Sequence, residues 1–84
     1  MTPAIPRGIS GRALMRLAES LGYKYSRSSG SHVIFMLEHN GERHICIPDH
    51  KELSLGTLND LLEDMASHLA TSKQEIIRKL FPGR

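Results

Sequence analysis

Asn40-Gly41 stands between two runs of strand-forming residues, His32–Glu38 and Arg43–Pro48. Both residues of the pair tolerate positive φ, which a tight hairpin turn demands. The pair therefore predicts an antiparallel hairpin, and a lone hairpin is marginal in water. The rest of the 84 residues must cover one of its faces. A two- or four-residue turn pairs Glu38 with Arg43, Met36 with Ile45, Ile34 with Ile47 and His32 with Asp49. On that register Ile34, Met36, Ile45 and Ile47 form one apolar face, the expected core side. Val33, Phe35, Leu37 and Cys46 beside His44 form a mixed second face, to be covered either by a partner or in part by the termini. A three-residue loop would break this pairing.

The flanking segments supply the cover. Ser10 is placed to cap a helix reaching about Leu21, with Leu14, Leu17, Ala18 and Leu21 at the spacing of one buried stripe. Gly22 stands where a helix C-cap glycine belongs. Tyr23–Arg27 alternates into a short strand with both tyrosines on one face, and Ser28–Ser31 reads as a loop. Ser54 caps a second helix, stapled by Leu53 and Leu58, with a stripe of Leu58, Leu61, Leu62, Met65 and Leu69. Asp60, Glu63 and Asp64 form its wet face. Ser72 and Glu75 make a capping box for a short last helix ending near Leu80. The expected class is α+β in the order α-β-β-β-α plus a small helix. The expected division is a flexible leader over 1–9, one domain over 10–81 and a tail over 82–84.

Composition narrows the function classes. A single cysteine, Cys46, excludes an internal disulfide and leaves no Cys-x-x-Cys zinc signature. The longest apolar run, Val33–Leu37, is far too short for a membrane span. Met1–Gly8 is too short and polar for a signal peptide. The expected setting is the cytoplasm, with no membrane partner. Net charge is only +2, but it is uneven. Arg7, Arg12, Arg16, Lys24 and Arg27 face only Glu19 within residues 1–27, which therefore carry +4. A basic third of this kind attracts phosphate.

That basic third runs into Ser28-Ser29-Gly30-Ser31-His32. Glycine lets a ligand approach the backbone closely. Serine hydroxyls and free N–H groups hold anionic oxygens. Histidine, with an unperturbed pKa of about 6.5, has both protonation states available near neutrality. The stretch suits acid–base chemistry on a phosphate ester, with His32 as the catalytic group and Gly30, Ser31 and Arg27 on the phosphate. Lys24, Arg12 and Arg16 extend a basic edge for single-stranded RNA. Asp49 could orient His32, and His50 is a second catalytic candidate as proton donor. His32, His39, His44 and His50 fit no metal-ligand spacing, so no metal is assigned. A turn followed by an ordinary strand histidine is the plain alternative for His32. At the level of function, the alternatives are a non-catalytic RNA-binding module and a partner-docking module.

Four elements in order are similar to a known family. They are Leu21-Gly22-Tyr23, Gly30-Ser31-His32, Pro48-Asp49-His50 and the run Glu52-Leu53-Ser54-Leu55-Gly56-Thr57-Leu58. Over about Ser10 to Phe81 the chain resembles the HicA (YcfA-like) mRNA interferases of toxin–antitoxin pairs. The resemblance implies a double-stranded-RNA-binding-domain-like fold, with helices on one side of a three-stranded antiparallel sheet. It implies metal-independent cleavage of mRNA with no cofactor, and His32 as the functional histidine. It also implies a HicB-like antitoxin that covers the active site.

Overall fold

The structure, a computed structural model, describes residues 5–82. Residues 1–4 of the expected leader and 83–84 of the expected tail lie outside the described residues. The elements are α1 (Gly11–Ser20), β1 (Lys24–Ser29), β2 (His32–Glu38), β3 (Glu42–Pro48), α2 (Leu55–His68) and α3 (Lys73–Leu80). The sheet is antiparallel in the order β1-β2-β3, so the α+β class and element order are those read from the sequence.

Local chemistry sets the helix ends. The hydroxyls of Ser10, Ser54 and Ser72 accept from the N–H groups of Ala13, Thr57 and Glu75 at 3.0, 3.1 and 3.2 Å. At the end of α1 the Gly22 N–H donates to the Glu19 carbonyl and the Tyr23 N–H to the Ala18 carbonyl. With Gly22 at φ 106° this is a Schellman cap. It drops Tyr23 into the core beside Ala18 and gives Leu21-Gly22-Tyr23 a mechanical meaning. The Ser72 box is only half made: Glu75 pairs with Arg78 through its carboxylate.

The hairpin register differs from the expected one by a residue. His39–Gly41 forms a three-residue loop, so Glu38 pairs with Glu42, Phe35 with Ile45, Val33 with Ile47 and His32 with Pro48. The faces of β2 are thereby exchanged. Phe35 and Leu37, with Ile45 and Ile47 of β3, are buried under the helices, while Ile34 and Met36 lie half-buried on the open side. Both faces of β2 are apolar, so alternation could not choose between them. Packing did, because an aromatic ring and a leucine offer the helices a large apolar area to remove from water.

The core joins these strands to Leu14 and Ala18 of α1, Leu58, Leu61, Leu62 and Met65 of α2, and Ile76, Ile77 and Leu80 of α3. Leu17, Leu21 and Leu69 of the expected stripes pack at its margin. Gly11 closes α1 onto the end of β3. Its N–H donates to the His50 carbonyl at 2.9 Å, and a Cβ there would lie 1.9 Å from the Pro48 carbonyl oxygen. Ile5 and Ile9 rest against the core, and the Leu53 N–H donates to the Ile9 carbonyl at 2.8 Å.

Candidate functional site

His32 is the first residue of β2, exposed on the face that no helix covers. Ser29 lies directly across on β1 and Pro48 directly across on β3. The expected loop over Ser28–Ser31 is shorter than the sequence suggested. Ser28 and Ser29 remain in the strand, and Gly30-Ser31 alone makes the turn. Gly30 takes φ 60° there, as glycine does at the first position of a two-residue hairpin turn. A Gly-Ser pair between two strand-forming runs is itself a hairpin signal. It could have placed Ser29 opposite His32 from the sequence.

A bulge decides which basic residues share the His32 face. Tyr25 pairs with Phe35 and Arg27 pairs with Ile34, so Ser26 is the extra residue. Plain alternation would leave Arg27 on the same face as Tyr25. The bulge turns it to the opposite one, where Ile34 and His32 lie. Arg27 is then diagonal to His32, within reach of a long side chain. Lys24, paired with Met36, lies on the same face. The expected basic edge is thus split in two. Lys24 and Arg27 stand with His32, whereas Arg12 and Arg16 line a groove on the helix-bearing side.

The expected pairing of Asp49 with His32 is corrected by the three-residue loop, which puts Pro48 opposite His32. The Asp49 carboxylate instead takes Arg12 in a two-pronged ion pair, Nε–Oδ1 at 3.2 Å and Nη2–Oδ2 at 3.3 Å. That contact raises the already high pKa of Arg12. The Asp49 N–H donates to the Ser31 carbonyl at 2.7 Å. The loop after β3 is thereby tied to the residue before His32. His50 follows, exposed, its carbonyl held by Gly11, at a cleft that Arg12 and Lys51 also line. Along β3 the imidazole of His44 lies 3.4 Å from the Glu42 carboxylate. Among the described residues no three His, Cys, Asp or Glu side chains converge as a metal site would require.

The open face therefore presents an imidazole, a guanidinium, an ammonium and a hydroxyl around a half-apolar centre of Ile34, Met36 and exposed Cys46. Such a set can move a proton beside an anion held by Arg27 and the turn. Among the described residues no helix is long and apolar enough to cross a membrane. A family model described as the HicA toxin of bacterial toxin–antitoxin matches residues 11–66. No curated protein and no solved structure matches the chain.

Proposed function

The chain belongs to the HicA toxin family of bacterial toxin–antitoxin systems, and from that premise we propose that it is a metal-independent endoribonuclease acting on mRNA, with His32 as its general acid/base. Family membership implies an antitoxin partner. In this reading the partner is HicB-like and inhibits by covering the open sheet face, whose centre of Ile34, Met36 and Cys46 offers apolar area to bury.

The observation that carries the reading is the bulge-directed placement of Arg27 on the face of His32. His32 accepts the proton of a ribose 2′-hydroxyl as its oxygen attacks the adjacent phosphorus. The bond to the 5′-oxygen breaks, and that oxygen takes a proton from His50. The products are a 2′,3′-cyclic phosphate and a free 5′-hydroxyl, and DNA is inert for want of the nucleophile. Arg27, Lys24 and the N–H groups of the Gly30-Ser31 turn offset the charge that grows on phosphate. A positioned acid or base contributes about 10²–10⁴-fold, enough for a toxin that needs few turnovers per message.

The test compares wild type with His32→Ala, both free of partner, on a long RNA in EDTA. Cleavage by wild type alone is the expected result, with a loss on the order of 10²-fold or more. Equal cleavage by a folded, pure His32→Ala protein would remove His32 from the mechanism. No cleavage by either would favour a non-catalytic RNA-binding or partner-docking module.

A further inference from the structure

Tyr25 plays no part in the chemistry above, yet it is 58% exposed, more than any other large apolar side chain among the described residues. The bulge that sends Arg27 to the open face leaves Tyr25 on the other one, beside α1. The ring is held in place before any ligand arrives. It meets Phe35 edge-to-face, centroids 6.1 Å apart at 86°, and its hydroxyl lies 3.2 Å from Ser28 Oγ.

Tyr25 walls a groove of about 420 Å³ floored by Met15, Val33 and Phe35, within the roughly 300–1,000 Å³ of small-ligand sites. The rim carries Arg12 and Arg16 against Glu19 and Asp49. These charges cancel, and Arg12 is already engaged by Asp49, so a bare phosphate gains little here. A nucleobase fits better. Its flat face stacks on an aromatic ring whatever the sequence, and its edge carries both donors and acceptors for guanidinium and carboxylate groups. The groove also ends beside the proposed reaction. Val33 follows His32 in the chain, and Asp49 is hydrogen-bonded to Ser31. A strand leaving the groove passes over this end of the sheet onto the open face.

We propose that the groove between α1 and β1 binds one base of the RNA strand, stacked on Tyr25, next to the phosphate attended by His32. Its link to cleavage rests on the ribonuclease reading; base binding itself does not.

The probe is a fluorescein-labelled single-stranded oligonucleotide with 2′-O-methyl riboses, which lacks the attacking hydroxyl. Tyr25→Leu, which keeps apolar bulk without a π face, should bind it about tenfold more weakly. Tyr25→Phe should bind within about twofold of wild type. On cleavable RNA, Tyr25→Leu should raise KM by a similar factor, leave kcat nearly unchanged and redistribute the cut sites. The chain has no tryptophan, so Tyr25→Trp places a single reporter whose emission should be quenched by the probe. Wild-type affinity in Tyr25→Leu overturns the proposal. So does a loss in Tyr25→Phe as large as in Tyr25→Leu, because only the hydroxyl contact to Ser28 would then matter, and so does an unquenched Tyr25→Trp. Tyr25-dependent binding by a wild type that leaves RNA intact supports the base site and removes the ribonuclease reading. Cleavage by wild type with unaltered binding in Tyr25→Leu does the reverse.

Discussion

Tyr23 and His68 show what a single buried contact decides. The Tyr23 hydroxyl and His68 Nδ1 share a hydrogen bond of 2.8 Å, joining the entrance of β1 to the last turn of α2. Burial first, and the nearby Asp64 carboxylate second, push the Tyr23 phenol up to about 12, so it stays protonated. Burial lowers the pKa of His68, the charges of Arg43 and His44 add to that, and Asp64 opposes them. The folded state therefore prefers neutral His68. The unfolded chain, with a value near 6.5, binds more protons at mildly acid pH. Stability from this site is complete above about pH 6.5 and declines as pH falls through the lowered folded value. We expect the thermal midpoint of wild type to fall between pH 7.5 and 5, and that of His68→Gln to fall less. Parallel curves for the two proteins would contradict this account. Neither residue could be paired from the sequence, because 45 positions separate them.

Among the elements, the two helix-opening glycines make opposite predictions. Gly11 starts α1, and any Cβ there collides with the Pro48 carbonyl. Gly11→Ala must push α1 off the end of β3 and break the bond to His50. We expect a loss of about 3 kcal/mol, and a fall in Tm on the order of 10 °C or more. Gly56 lies in the first turn of α2, and a Cβ added there would meet nothing within 4 Å. Gly56→Ala should therefore be neutral or stabilise by about 0.5–1 kcal/mol. Denaturant melts of the pair check both signs, and a tolerated Gly11→Ala would refute the close approach. The caps at Ser10, Ser54 and Ser72 were legible because each is a local contact three residues long. The need for Gly11 was not, since the atom it avoids is 37 residues away in the chain.

For the whole molecule, the arrangement is two-sided. Helices bury one face of the sheet, and the other carries His32, Arg27, Lys24 and Cys46. The exposed thiol of Cys46, the chain's one cysteine, lies on the strand and face that flank His32. Labelling it with a bulky maleimide should abolish RNA cleavage by blocking that face. Cys46→Ser treated with the same reagent should keep its activity. Full activity of the labelled wild type would move the substrate to another surface.

The amino-acid sequence by itself determined the element order, the helix caps and the stripes of α1 and α2, and it singled out His32 as the candidate for the proposed chemistry. These depend on spacings of a few residues and on side-chain chemistry, which a linear text carries. Tertiary structure decided which face of β2 is core, that Arg27 rather than Arg12 or Arg16 stands with His32, and that Asp49 holds Arg12 instead of His32. Each of those outcomes turns on a one-residue offset, the three-residue loop at His39–Gly41 or the bulge at Ser26. In a strand, one residue exchanges the faces. With apolar residues on both faces of β2, only packing against the helices could choose between them.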